Sequence, residues 1–409
     1  MFVMNPVVRD PRVTREAQLL ANKGFPVTVI GLSEESRKEF MHNGYRVILI
    51  GVPLLFRKAI AMKRASGSSN DLSGQSKSGN RGALNMSRIK GNIFRGIVDL
   101  GEIAFNLWNS MVMFLTGVRL KALIYHSHDL DTLLCGYGCS RINGAKLVYD
   151  FHEAYTEQFS PGTKTRLWRR FYGLLERVFV NSADAKVTVC NSLGNWAQEQ
   201  YNADNVEVVM NVSGYTAPCV TGKTAAMKTV LYHGGFCLDR GIEQLILSFR
   251  YIEGACLVLR GWGPVESKLR ELISAEGLEK KISIVPPVKM EELVQHAAEA
   301  DIGVIPYIAT NLNNRFTTPN KLFEYMMAGL AIAGSDLPEL NAIILGNNLG
   351  RVFNPEDPED IAKALNEMLK DNNMLADMKN NSLFAAREKY NWEKEGQKLL
   401  SLYEKICAA

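Results

Sequence analysis

No stretch of the 409 residues reaches the ~18 consecutive apolar positions that a membrane-spanning helix needs. The opening residues, with Arg9, Asp10 and Arg12, hold no long apolar core, so no secretion signal is evident. Charge of one sign is scarce too. The 47 Lys and Arg exceed the 43 Asp and Glu by a net +4, too small an excess to argue for nucleic acid as a partner. Seven cysteines with no C-x-x-C pair exclude a secreted disulfide framework and read as reduced thiols of a cytoplasmic protein. H-E-x-x-H, a P-loop lysine motif and a Ser–His–Asp set are all missing. So is a complete G-x-G-x-x-G: in RGWGP the last glycine position falls on Glu266, which speaks against a nicotinamide dehydrogenase. What is present is ample core material, with 46% hydrophobic and 22% charged residues, on a length suited to two or three domains.

The chain opens as strand, loop, helix, strand. Asp10 is placed to cap a helix whose first turn takes Pro11, and Val13, Ala17, Leu20 and Ala21 recur at helical spacing. Gly24 sits where a left-handed stop belongs. FPVTVIGL and YRVILIGVP follow as apolar, β-rich runs. Continuous apolar strands alternating with amphipathic helices imply an α/β fold with parallel sheets covered on both faces. Residues 66–82 are dominated by Ser, Gly and Asn and read as a flexible loop. Basic residues flank it: Arg57, Lys58, Lys63 and Arg64 before, Arg88, Lys90 and Arg95 after. The helical stretch up to Val118 is apolar around most of its circumference. Two readings stand: a core helix with a solvated basic flank, or a surface that docks on anionic lipid.

Strands resume at KALIYHSHD, AKLVYDFHE, AKVTVCNS and NVEVVMNVSG. Gly, Pro, Ser and Thr over 211–228 suggest a hinge. A second alternating series runs from TVLYHGG through ACLVLRGWGP, KISIVPP, ADIGVIPY and LAIAGS, so two consecutive Rossmann-like halves are expected, 1–210 and 229–390. Residues 391–409 read as a helix that docks on one of them.

The second half carries the phosphate-binding features. Gly234 and Gly235, then Gly263, follow strands, where glycine lets backbone N–H groups approach a phosphate. Arg240 stands at a helix entry, where a cation opposes the helix dipole unless it has an anion to hold. In PNKLFEYMMAG, Thr317 or Thr318 is placed to cap a helix whose first turn takes Pro319, and Glu324 shares a face with Lys321. A carboxylate there suits two ribose hydroxyls and an ammonium suits a phosphate oxygen; a plain surface ion pair is the alternative.

These ordered motifs, from the DPRV helix through HSHDLD, YDFHE, GG-x4-RG, GWGP and PNKLFEYMMAG to the closing NWE…LYEKI, resemble the family-four glycosyltransferases of the GT-B fold over nearly the whole chain. The resemblance implies two Rossmann-like domains facing each other across a deep cleft, the closing helix packing back on the first. It implies a nucleotide-sugar as co-substrate, no metal and no other cofactor, and retention of configuration. The first domain takes a glycan or lipid-linked acceptor, with an anionic membrane surface on the inner face of the cytoplasmic membrane as a further expected partner. By position, Glu324 matches the ribose ligand and Arg240 a diphosphate ligand. Thr317, Thr318, Pro319, Asn320, Gly234, Gly235 and Gly263 line the donor site, and His152 matches the histidine at the transferred sugar.

Two positions depart from the family pattern. Its first glutamate falls on Phe316 and its second basic diphosphate ligand on Gly235; Lys321 is expected to replace the missing charge. NPVVRDPR replaces a glycine-rich loop, and Arg9 and Arg12 either serve an acceptor phosphate or are surface charges. His128, Asp129 and Glu153 complete the acceptor-side candidates. Asp129-Leu130-Asp131 is assigned capping and acceptor roles, and His126, His128 and His152 are placed on separate strand ends. Cys135 and Cys139 read as small buried apolar residues. The rival functions are a nucleotide-sugar epimerase or hydrolase on this scaffold, and a nucleotide-sugar-binding protein without catalysis.

Overall fold

The computed structural model describes residues 1–33, 35–52, 81–159, 163–218 and 227–408, with only helical backbone over 81–94. Arg57, Lys58, Lys63, Arg64, the loop at 66–80 and hinge residues 219–226 lie outside the described residues. Two compact units emerge. The first comprises Met1–Thr188, Gly194–Glu207 and Leu399–Ala409; the second comprises Val189–Leu193 and Val208–Lys398.

In the first unit α1 (Pro11–Asn22) starts as expected, the Asp10 carboxylate accepting from the backbone N–H groups of Arg12 and Val13. β1 (Thr28–Ser33) leads to β2 (Lys38–His42) and β3 (Tyr45–Gly51), then α2 (Arg81–Gly117) and β4 (Ile124–His128). The unit continues with α3 (Leu130–Asn143), β5 (Lys146–Phe151), α4 (Arg166–Phe179), β6 (Ala185–Thr188), α5 (Asn191–Tyr201) and β7 (Val206–Val208). β1 and β3 pair in parallel, whereas β2 runs antiparallel to β3, a departure from the all-parallel expectation. KEFMH lies exposed along nearly its whole length, so it carries no apolar alternation to read. Its charges suit an edge strand, and Arg46 Nε donates to Glu39 Oε1 across the pair at 2.8 Å.

Phe2 makes parallel bridges to both Ile30 and Ser127, joining the β2–β3–β1 sheet to β4–β5–β6–β7. One residue thus stands where a full strand would otherwise be needed. The loop that follows turns at Val7, a buried β-branched residue at φ 60°, in the segment where the resemblance calls for glycine.

The second unit is β8 (Lys228–Gly235), α6 (Ile242–Ser248), β9 (Ala255–Trp262), α7 (Glu266–Ala275), β10 (Ile282–Val285), α8 (Leu293–Ala297), β11 (Ile302–Ile305) and α9 (Leu312–Arg315). It closes with α10 (Asn320–Met327), β12 (Ala331–Ser335), α11 (Pro338–Gly346), β13 (Gly350–Phe353), α12 (Pro358–Lys370) and α13 (Asn372–Glu388). Its six strands lie in the order β10–β9–β8–β11–β12–β13, the 3-2-1-4-5-6 arrangement of a doubly wound sheet. Side chains alternate between two cores: Val230 and Tyr232 join one with α6, α7 and α12, Leu231 the other with α10, α11 and α13. β8 and β11 share only Val230–Ile302 and Leu231–Gly303 before parting, so the switch point opens at their carboxyl ends. The last helix, α14 (Trp392–Ala408), belongs to the second unit through Lys398 and to the first from Leu399 onward.

Replacing the Asp10 cap with alanine leaves two backbone donors of α1 unmet. Asp10→Ala should lower the unfolding free energy by about 1 kcal/mol in urea titration.

Candidate functional site

At the switch point of the second unit, Lys321 is the decisive side chain. It lies in the first turn of α10, only 6% exposed, and its Nζ has no hydrogen-bond partner among the described residues. The ammonium sits 3.7 Å from the centroid of the Tyr232 ring and 5.0 Å from that of Tyr307. Cation–π attraction replaces part of the lost hydration. Burial, and then the Arg240 charge, hold the Lys321 pKa well below its usual value, with Glu324 pulling the other way. Next to it is Gly234, at φ 126°, where a Cβ would lie 3.2 Å from Lys321 Nζ.

Arg240 packs its guanidinium over Tyr307 at 4.2 Å, beside Asp239, whose Oδ2 accepts from Asn314 Nδ2 at 2.8 Å. The two cations therefore share one aromatic wall. Gly263 is required by packing: a Cβ there would fall 2.2 Å from Phe236 O. Glu324 faces His233, Nε2 to Oε2 at 2.7 Å. Burial lowers the His233 pKa, only partly offset by Glu324, so the neutral ring donates from Nε2 and leaves Nδ1 buried without a partner.

The start of α10 differs from expectation. Pro319 is the N-cap, not part of the first turn, and neither Thr317 nor Thr318 caps the helix. Proline supplies no side-chain acceptor, so no side chain takes the first N–H groups from Asn320 onward. Gly235, Thr317, Thr318 and Asn320 occupy the same strand-end and helix-start segments, and the Phe316 carbonyl oxygen accepts from Cys190 Sγ at 3.3 Å.

In the first unit the side chains at the carboxyl ends of β4 and β5 form a charged cluster. Arg12 is 3% exposed, and its Nε and Nη2 donate to Asp150 at 2.9 and 2.8 Å while Nε also faces Glu16 at 3.1 Å. Arg12 is thus no surface charge: it is buried, and the Nε–Nη2 edge of its guanidinium is taken by Asp150 and Glu16. Arg9 lies exposed nearby in sequence, and Glu153 is half-buried.

His152, just past β5, sits between two carboxylates. Nδ1 lies 3.2 Å from Asp129 Oδ2 and Nε2 lies 3.2 Å from Asp150 Oδ2, and its backbone N–H donates to Asp129 Oδ1 at 3.0 Å. Burial alone would lower its pKa, but Asp129 and Asp150 outweigh it and hold the imidazole well above the usual histidine value. Asp129 makes no side-chain capping bond to α3 because its carboxylate is spent on His152; its backbone takes φ 60°, ψ 168°, a region left almost wholly to glycine. Asp131 is a different case, pushed by burial well above the carboxylate range. The two acids of the D-x-D are therefore shifted in opposite directions.

His128 is fully buried and reaches His152 Nε2 through Nδ1 at 3.3 Å, so it supports the cluster and cannot touch an acceptor. Nor do the histidines stand on separate strand ends: His126 and His128 are two residues apart on β4, their rings stacked at 4.3 Å. Burial pushes His126 down to about 3 and Glu16 up to about 8. Glu16, His126, His128 and Asp150 bring potential metal-ligand atoms within 4.8 Å of one another, but the carboxylates already face the Arg12 guanidinium. Sequence reading missed His233, Tyr232, Tyr307 and Asp150. His233 and Asp150 stood beside quoted motifs, whereas the tyrosines read only as strand residues.

Residues 227–371 match a family model described as Glycosyl transferases group 1. Among curated proteins, a phosphatidyl-myo-inositol mannosyltransferase of Mycolicibacterium smegmatis is 24% identical over 279 residues, 64% of this chain and 66% of that protein. The chain spans 45% to 66% of the length of the curated relatives it matches. Sucrose-phosphate synthase of Thermosynechococcus elongatus superposes with a TM-score of 0.67 at 16% identity, over 97% of this chain and 93% of that one. Anabaena Alr3699/HepE in complex with UDP superposes at 0.65 and 13%, over 99% of each chain. The fold class is GT-B, as the sequence resemblance implies.

Two measurements follow from these geometries. In an NMR titration of the imidazole C2–H, His152 should hold its proton past the ordinary midpoint of about 6.5, and Asp129→Asn should move that midpoint down. Because the folded value is raised, the stability this group contributes is complete below about pH 6.5 and disappears as pH climbs through the folded value. An unmoved midpoint in Asp129→Asn would contradict the clamp. Separately, Lys321→Met should stabilise the ligand-free protein by about 1–3 kcal/mol in urea unfolding, since it removes a buried cation without hydrogen bonds.

Proposed function

We propose that this chain, whose residues 227–371 match the model of the glycosyl transferases group 1, moves a sugar from a nucleotide-sugar donor, a UDP- or GDP-sugar, to a glycan or lipid-linked acceptor in the building of cell-surface polysaccharide, lipopolysaccharide or glycolipid. The observation that carries this reading is the buried Lys321 ammonium at the switch point of the doubly wound sheet, facing Gly234 and sharing the Tyr307 wall with Arg240. Ligands of such sheets bind beyond the strand carboxyl ends at the switch point. Two cations and the uncapped N–H groups of α10 there suit a diphosphate, and Glu324, held by His233, suits the ribose.

Departure of a nucleoside diphosphate builds negative charge on its β-phosphate while the anomeric carbon turns cationic. Arg240, Lys321 and the α10 amides are fixed donors for the first charge, so they bind it more strongly in the transition state than in the ground state. In this reading transfer proceeds with retention and without a metal, the leaving phosphate taking the acceptor hydroxyl's proton. His152, kept protonated by Asp129 and Asp150, serves the transferred sugar. The enzyme works in the cytoplasm, in keeping with the six described cysteines, all free thiols.

Titration calorimetry with UDP, UDP-glucose, GDP and GDP-mannose tests the donor site. Arg240→Ala and Lys321→Ala should each weaken the nucleotide that binds by about ten- to a hundredfold, the loss expected for one charged hydrogen bond. Unchanged affinity in Lys321→Ala would remove the residue from the site. His152→Ala should lower kcat far more than donor affinity; equal losses in both would assign it to binding instead.

A further inference from the structure

The turn that leads from β8 into α6 carries an exposed thiol, Cys237. It stands two residues past Gly235 and opens a short 3-10 turn, Leu238–Arg240, its carbonyl accepting from the Arg240 N–H at 3.2 Å. A Cβ at Gly235 would come within 3.8 Å of the Cys237 sulfur, and one at Gly234 within 3.2 Å of Lys321 Nζ, so thiol and amine stand against consecutive residues of one strand end. A Cys237 thiolate is within electrostatic reach of Lys321, Tyr232 and Tyr307. The other described thiols are placed differently. Cys135, Cys139 and Cys190 are buried, and burial pushes Cys139 and Cys190 up to about 12. Cys256 is half-buried and donates to Lys228 O at 3.6 Å, and Cys407 is exposed at the end of α14 in the first unit.

The groups around the sulfur select what can react with it. Arg240, over the Tyr307 ring, keeps 28% of its side chain exposed. Lys321 is 94% buried, by its 6% exposure, and its Nζ has no hydrogen-bond partner among the described residues. The acids of this region are already engaged: Asp239 Oδ2 accepts from Asn314 Nδ2 and lies 3.8 Å from Arg240 Nη1, and Glu324 is held by His233. A molecule arriving at Cys237 therefore meets a guanidinium open to solvent and an amine short of acceptors, surroundings that favour anions. A small disulfide bearing carboxylates satisfies both demands, its S–S bond serving the thiol and its carboxylates the two basic side chains.

We propose that Cys237 is a modification site that forms a mixed disulfide with an anionic low-molecular-weight disulfide, the carboxylates of the adduct lying on Arg240 and Lys321. In the exchange Cys237 Sγ, as thiolate, attacks one sulfur of the incoming disulfide. A new Sγ–S bond forms, the old S–S bond breaks, and the other half leaves as a thiolate that takes up the proton Cys237 released. Cys237 is oxidised, the departing half is reduced, and excess thiol reverses the step. The adduct occupies the place of a donor's diphosphate and closes the site while it lasts. That consequence rests on the transferase reading; the adduct itself does not.

The test treats the reduced full chain with glutathione disulfide, which is anionic, and with cystamine, which is cationic, and follows the adducts by peptide mass spectrometry. Normalised to a neutral model thiol, Cys237 should react about tenfold faster with the anionic reagent. Added salt and Arg240→Gln should each shrink that preference, and inorganic pyrophosphate should slow the reaction. In titration calorimetry the glutathione adduct should lose binding of pyrophosphate and UDP, and dithiothreitol should restore it. Cys237→Ser should bind both as the reduced wild type does, before and after treatment. Equal normalised rates, an adduct at Cys237 that leaves pyrophosphate binding intact, or loss of binding in treated Cys237→Ser would overturn the proposal. A reduced protein that binds neither pyrophosphate nor UDP would refute the donor reading instead, and the rate preference would still decide the role of the thiol.

Discussion

An ammonium group taken out of water without a hydrogen bond to repay it is the constraint around which the second unit is arranged. Such a cation costs several kcal/mol unless something compensates. Lys321 receives partial compensation from the Tyr232 and Tyr307 ring faces and a longer-range pull from Glu324, while Arg240 works against it. The surrounding sequence choices then become intelligible. Glycine at 234 lets the backbone come close to the ammonium, and proline at 319 starts α10 without a side chain that would occupy its amides. The site is incomplete in energy as well as in contacts, and a dianion would complete it.

The first unit meets the opposite problem with the opposite solution. There many charges are buried together and they cancel. Arg12 neutralises Asp150, which with Asp129 keeps His152 protonated, while burial holds Glu16, His126 and His128 in their neutral forms. Tyr403 of α14 closes the cluster with a 2.7 Å contact to His126 Nδ1. One unit thus balances its buried charges around a single partly exposed imidazolium, while His126 Nε2 and His128 Nε2 stay buried without hydrogen-bond partners, and the other leaves a buried amine unbalanced.

Much of this organisation was legible in local sequence. The two alternating series, the Asp10 cap, the glycine turns at 234 and 263 and the α10 helix all rest on patterns a few residues long. What escaped were features set by distant partners. Arg12 and Asp150 are 138 positions apart, and nothing around Arg12 announces that its charge will be enclosed. β2 is polar along nearly its whole length, so periodicity had nothing to detect. Tyr232 and Tyr307 looked like ordinary strand residues because a ring's role as a cation's wall depends on a lysine elsewhere in the chain. Which side of α2 faces inward was ambiguous for the same reason, since apolar residues all around a helix do not say which side the core will take.

The most direct test of the central claim is the proton balance of nucleotide binding. Calorimetric titration with UDP or GDP, repeated in buffers of different ionisation enthalpy, counts protons exchanged on binding. A diphosphate beside Lys321 raises a pKa that burial holds low in the free protein, so binding takes up protons at a pH between the free and bound values. The account predicts net uptake in the wild type that is lost in Lys321→Met. Binding with the same proton balance in both proteins would contradict it.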